Sequence, residues 1–212
     1  QTVVRQANNI SPYLTVGDDI VIKGQRTSIV GLTEMAFGNM PVDGGNLLLT
    51  TSEVARLGLT ADERYTFVQR IYGSAEFIRG IVRYCLWIGD KDRERALSNE
   101  AIKSRVEAVE AMRLASPDDG TQNMADRPHQ FREMYRGKDH TLILPGVSSE
   151  TREYLQVGLL DSRSIVSNLA FALYDAPLWN LALIASRLHL VWIATVCGKL
   201  KTDYRYSNTL GW

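Results

Sequence analysis

The 212-residue chain has two cysteines, three histidines and no net charge, and each scarcity removes a class of function. Cys85 and Cys197 sit in separate apolar neighbourhoods. This reads as a pair of buried reduced thiols in a cytoplasmic protein rather than a disulfide framework. None of His129, His140 and His189 pairs with a cysteine or a second histidine at ligand spacing, so no metal site is expected. Apolar runs are interrupted by Arg187, His189 and Lys199 before they reach membrane-spanning length, so no membrane contact is expected. The stretch Gln1–Asn9 is polar, lacks an initiator Met and has no signal-peptide core; it reads as part of a segment cut from a longer chain.

Catalytic signatures are equally scarce. The chain has no Gly-x-Ser-x-Gly elbow, no phosphate-binding loop and no dinucleotide fingerprint. Asp118-Asp119, beside Pro117 and Gly120, reads as a solvated turn rather than a carboxylate pair for acid–base work. No catalytic residue is assigned. Lys and Arg number 24 and so do Asp and Glu, which excludes a uniformly basic protein but permits a localised basic face.

What is present is an ordinary globular composition, 45% hydrophobic and 23% charged. Residues 1–60 read as an extended arm from a missing neighbouring domain, and residues 61–212 as the body. In the arm, Ile20–Ile22 and Ser28–Val30 flank turn residues and predict a hairpin. The loop Phe37–Asn46, with three glycines and a proline, predicts a defined shape, and Thr51 to Leu57 a short helix. Ile81–Ile88 predicts a central strand, apolar on both faces apart from Arg83. Ile102, Val106, Val109 and Met112 recur at helical spacing, and Pro128 opens a second, shorter helical pattern. Thr141–Leu144, Tyr154–Leu160 and Ile165–Tyr174 predict strands. Leu178–Val196 predicts one long helix with Leu181, Ile184, Leu188, Val191, Trp192 and Thr195 on a stripe. Strands and helices mix without βαβ regularity, so the expected class is α+β: a mixed or antiparallel sheet packed with several helices and preceded by the arm.

Two blocks carry a family resemblance. Met35–Asn46 resembles the Phe-Gly-Asn-Met-Pro-x-Asp-Gly-Gly segment of MmeI-like DNA methyltransferases, and Val196–Ser207 resembles their Cys-Gly-x-Leu-Lys-x-Asp-Tyr-Arg-Tyr-Ser block. Between them, Gly73–Ile78, Arg83–Ile88, Arg113–Ser116 and Val147–Arg152 fall in the same order as landmarks of that family. The resemblance implies the target-recognition region of an S-adenosylmethionine-dependent adenine-N6 DNA methyltransferase of a restriction–modification system. The Asn-Pro-Pro-Phe/Tyr motif and the glycine-rich S-adenosylmethionine loop of such enzymes are not in this sequence, so cofactor and catalysis are expected in the parent's methyltransferase domain.

The resemblance also directs attention to residues that could read double-stranded DNA. An arginine can donate to O6 and N7 of guanine while a carboxylate accepts from N4 of cytosine, so Glu150 and Arg152 could address the two bases of one pair. In extended backbone they would share a face. An exposed ion pair, worth at most ~1 kcal/mol, fits the same spacing. Thr121, Gln122 and Asn123 are further base-contact candidates, beside the unfavourable charge of Asp118 and Asp119. Lys199, Lys201, Tyr204, Arg205 and Tyr206 suit backbone contacts, although the two lysines could equally complement the end of the preceding helix. The competing function is a non-catalytic protein-interaction domain using Trp179, Trp192 and the aromatic tail, with core packing as the simpler role of the two tryptophans.

Overall fold

The computed structural model describes residue 4 and residues 6–28 and 30–212. Among them, strands assemble into three sheets. The first runs β1 (Ala36–Phe37), β9 (Ala170–Tyr174), β5 (His140–Pro145), β7 (Gly158–Asp161), antiparallel throughout. The second runs β2 (Leu48–Leu49), β4 (Tyr84–Leu86), β3 (Val68–Tyr72), β8 (Ile165–Val166), with β3 and β8 parallel. The third is β10 (Lys199–Leu200), β11 (Asp203–Arg205) and β6 (Val147–Ser148). Eight helices pack around them: α1 (Thr51–Arg56), α2 (Ala61–Phe67), α3 (Ser74–Arg79), α4 (Arg93–Leu97), α5 (Glu100–Leu114), α6 (Asp119–Gln122), α7 (Trp179–Ile184) and α8 (Arg187–Val196). The fold is α+β, as the sequence predicts.

The two four-stranded sheets lie against separate apolar clusters, and the third sheet adds Tyr204 to that of the first. Around the second sheet, Leu49, Ile71, Cys85 and Leu86 of its strands and Phe67 of α2 share a cluster with Ile102, Val106 and Val109 of α5. The first packs Leu142, Leu144 and Leu173 against Ile184 of α7 and Ile193 of α8. Both cysteines are buried free thiols, and desolvation raises both thiol pKa values.

The glycine-rich loop has the defined shape expected of it, and its chemistry is structural. Asn39 is fully buried: its amide nitrogen donates to the carbonyls of Tyr135 and Val166, while its Oδ1 accepts from the Tyr135 amide at 2.7 Å. Asp43 accepts from the amides of Gly45, Leu47 and Leu48, closing a turn in which Gly44 and Gly45 have positive φ. A Cβ at Gly38 would strike the carbonyl oxygens of Val166 and Ser167. Glycine is required there by close backbone approach.

Several expected elements change. Residues 20–28 and 30 form no strand, and Ile29 lies outside the described residues. The central strand shortens to Tyr84–Leu86 because Gly80 turns left-handed to close α3, and the Ile81 amide donates to the Glu76 carbonyl. No helix follows Pro128. The carbonyls of Met124, Arg127 and Gln130 accept from Arg113, and those of Phe131 and Arg132 from Arg127, in place of helical amides. Tyr154 to Val157 are irregular, and only Gly158 onward pairs. The expected strand 165–174 is two strands in different sheets, and β3 has no counterpart among the strands the sequence predicts. The long terminal helix breaks because Ser186 accepts from the His189 amide and starts a new helix. That break turns Leu188 and Val191 outward and buries His189, Ile193 and Val196 instead. Trp179, 56% exposed, is not a core residue either.

Candidate nucleic-acid interface

The third sheet joins two segments that lie far apart in the sequence. Val147 pairs with Arg205 and Ser148 with Tyr204, so the turn carrying Glu150 and Arg152 sits immediately beyond the strand that abuts the β10–β11 hairpin. Lys199 opposes Tyr204, and Leu200 opposes Asp203, across a two-residue connection of Lys201 and Thr202. Lys201 has φ of +59°, a left-handed conformation that costs a non-glycine residue roughly 1 kcal/mol. Three cations, Lys199, Lys201 and Arg205, are exposed on this small sheet. The terminal segment is therefore a β-hairpin that begins two residues after Cys197, the C-cap of α8.

Glu150 and Arg152 are both exposed, but they do not occupy extended backbone. The Arg152 amide donates to the Ser149 carbonyl at 3.1 Å, closing a turn. The same-face spacing of a strand does not apply there. Among the described residues the two charges form no ion pair with each other or with any other side chain; with its amide turned to accept, Gln156 takes two bonds from the Arg152 guanidinium at 3.2 and 3.3 Å. Neither charge is neutralised by a carboxylate or a cation among the described residues.

The tail residues separate into different environments. Lys199 lies 5.3 Å above the half-buried Tyr204 ring. Strand alternation places Arg205 on the opposite face from that pair. Tyr206 corrects the sequence expectation: it is 5% exposed, packed on Phe171, and its hydroxyl is 3.0 Å from His189 Nε2. A hydroxyl committed inside the core cannot contact a DNA backbone. Sequence alone gave no sign of this, because Tyr204 and Tyr206 have the same residue type and spacing.

Burial holds the His189 pKa down at about 4, below its ordinary value of 6.5. A histidine depressed in the folded state stays neutral there while the unfolded chain takes up a proton below about 6.5. Its stabilisation is complete above that pH and is lost progressively towards pH 4, by about 3 kcal/mol. His189→Gln, which keeps a partner for Tyr206, should flatten stability between pH 6.5 and 4 in urea titrations. An unchanged slope would assign the acid sensitivity elsewhere.

Thr121, Gln122 and Asn123 lie elsewhere, on and just after α6, a helix packed against α5. Their amides bond within the same turn, Gln122 Nε2 donates to the Ser116 carbonyl, and no strand pairing or hydrogen bond ties them to the three-stranded sheet among the described residues. Asp118 accepts from the Thr121 amide, so this acid caps a helix.

The structure adds a residue that sequence reasoning missed. Phe37 is 57% exposed, stacks on Phe171 at 4.5 Å between centroids, and borders a groove of about 470 Å³ shared with Gly146, Val147, Gly198 and Arg205. An open aromatic beside a free guanidinium can offer both a stacking face and a donor.

Comparison with known proteins bears on this arrangement. The model of the family described as MmeI, target recognition domain, matches residues 16–212. DNA methyltransferase A of Bacillus subtilis (strain 168) is 40% identical over 203 residues, which are 96% of this chain and 23% of that protein. A solved structure of the Type IIL restriction–modification enzyme MmeI in complex with DNA aligns with a TM-score of 0.87 and 31% identity, over 96% of this chain and 27% of that one. The chain thus spans about a quarter of the length of each relative.

Proposed function

Because the chain belongs to the MmeI target recognition domain family, we propose that it recognises a DNA sequence for a restriction–modification methyltransferase, with the β6–β11 sheet at the contact. The observation that supports this reading is the pairing of Val147–Ser148 with Tyr204–Arg205, which brings the turn of Glu150 and Arg152 next to the hairpin of Lys199, Lys201 and Arg205. In this reading Glu150 and Arg152 address the edges of a G·C pair, and Thr121, Gln122 and Asn123 make a separate groove contact. Lys199, Lys201, Tyr204 and Arg205 hold the sugar–phosphate backbone, and Phe37 packs beside them. Methyl transfer to adenine N6, S-adenosylmethionine binding and the docking partner of this chain belong to the portion of the full-length protein that the relatives carry beyond it.

The test is a salt titration of duplex binding. Each phosphate contact contributes about 0.9 to the slope of log K against log salt concentration. Lys199→Gln together with Lys201→Gln should lower the slope by almost 2 and weaken all sequences alike. A loss confined to particular sequences would contradict a backbone role for these lysines.

A protein-docking role is favoured by one feature, the outward apolar ridge of Leu188 (80% exposed) and Val191 on α8. Such a ridge suits packing against the rest of a full-length protein and leaves the DNA-reading sheet free. It supplements the DNA reading.

A further inference from the structure

A second groove, of about 590 Å³, lies between α2, β3 and the turn that follows β7, and its lining is donor-rich. Arg64, Arg70 and Arg163 line it with Tyr65, Tyr72 and Tyr84. None of the three guanidiniums has a carboxylate partner among the described residues. Arg163 is held in place: its Nη2 donates to the Tyr65 carbonyl at 2.6 Å, and its guanidinium lies 3.6 Å over the Tyr65 ring. Arg70 lies 5.1 Å over Tyr72. Stacking of this kind occupies the flat face of a guanidinium and leaves its in-plane N–H groups free to donate.

Three nearby acids are engaged. Asp161 in the lining accepts from the Arg163 amide and from Ser164 Oγ through one oxygen. On α2, Glu63 caps Thr60 and Asp62 pairs with Arg95. An adjoining groove of about 390 Å³ shares Tyr65, Gln69 and Arg163 and adds Arg136 and one acid, Asp92. In a chain of zero net charge, this concentration of arginines without a carboxylate partner among the described residues, set with tyrosine hydroxyls, suits a ligand that only accepts hydrogen bonds and carries several negative charges.

We propose that this groove is a second grip on the DNA sugar–phosphate backbone, separate from the base-reading sheet. The proposal rests on the DNA reading given above. Strand β5 sets the spacing: His140 pairs with Asp161 at the groove end, while Pro145 leads through Gly146 into β6 at the other. Six residues and their flanks cover roughly 20 Å at ~3.3 Å each. Along B-form DNA that is about six base-pair steps of ~3.4 Å, or roughly half a helical turn. One duplex could thus meet the three-stranded sheet and, half a turn away, the arginine groove. A sequence-independent second contact would supply affinity and register without changing which bases are preferred.

The experiment is a salt titration of the 212-residue chain with a duplex of about two helical turns, comparing the unaltered protein with Arg64→Ala/Arg70→Ala. Both side chains are exposed and make no hydrogen bond among the described residues, so the variant should melt with the unaltered chain. The expected result is a slope reduced by about 1.8, at ~0.9 per contact, with the sequence preference intact. Arg70→Glu, as a second variant, should weaken binding further. An unchanged slope alongside salt-dependent binding by the unaltered chain overturns the groove and leaves the base-reading sheet standing. No salt-dependent duplex binding by the unaltered chain overturns both. Loss of polyglutamate binding in the variant, with the DNA slope unchanged, overturns the DNA grip in favour of an acidic protein partner.

Discussion

Replacing Arg113 by methionine should remove about 3–5 kcal/mol of stability, a large share of what a domain of this size commonly has. Arg113 is fully buried on α5. Its Nε donates to the Val42 carbonyl, Nη1 to those of Met124 and Arg127, and Nη2 to those of Pro41 and Gln130. All five N–H groups are therefore used, each on a main-chain carbonyl with no helical or strand partner of its own. Burial lowers the guanidinium pKa from its ordinary value, and the five carbonyl dipoles offset that cost. Methionine of similar length would leave the Pro41, Val42 and Gln130 carbonyls without a donor among the described residues, while those of Met124 and Arg127 keep the amides of Arg127 and Gln130, at ~1–3 kcal/mol for each unpaired acceptor that water cannot reach. Lysine, with three donors and no planar fork, should lie between the two. Urea midpoints of the three proteins measure this; a loss below about 1 kcal/mol for methionine would show that the loops hold their shape without the clamp. The functional consequence follows from position, since the same clamp fixes the loop after Asn39 and the segment following Thr121–Asn123.

Exchanging the charges of Glu150 and Arg152 should invert a base preference. A well-formed contact of either kind discriminates by ~1–3 kcal/mol, so Glu150→Arg with Arg152→Glu should change the balance between G·C and C·G at one position by roughly 2–6 kcal/mol. The turn geometry makes the exchange a fair test. Both side chains are exposed, neither is in an ion pair among the described residues, and neither supports the core, so the fold should tolerate the swap. Competition between duplexes that differ at a single base pair reads the result. Undiminished binding with the original preference would remove this pair from base recognition.

Local signals made much of this molecule legible in the sequence, while its long-range pairings were not. The periodicity of Ile102, Val106 and Val109 identifies α5, and the three buried residues face the core as their spacing requires. The clustering of glycine, proline and Asp43 correctly marks a shaped loop, but its cause lies in Val166, Ser167 and Tyr135, more than ninety residues away for each bond to Asn39. Pro128 misled because nothing in its own segment shows that Arg113 will consume the carbonyls a helix needs. Ser186 broke a long apolar pattern by a single cap, and that shift exposed Leu188 and Val191. At the candidate site, Lys199, Lys201 and Arg205 could be picked out as charged residues in a terminal block. That β6 and β11 would bring Glu150 and Arg152 beside them depended on a strand of two residues, Val147–Ser148, which has no sequence signature. Phe37 was hidden for the same reason: its exposure follows from its place on the edge strand β1, paired with β9, not from its neighbours in the chain.

The central claim, that this chain reads sequence and does not merely bind nucleic acid, is tested most directly by selection from a randomised duplex pool. The 212-residue protein is incubated with the pool at low salt, and bound duplexes are sequenced. The account predicts enrichment of duplexes sharing at least one fixed G·C pair, whose orientation reverses when Glu150 and Arg152 are exchanged. A bound pool with the same base frequencies at every position as the starting pool would contradict it.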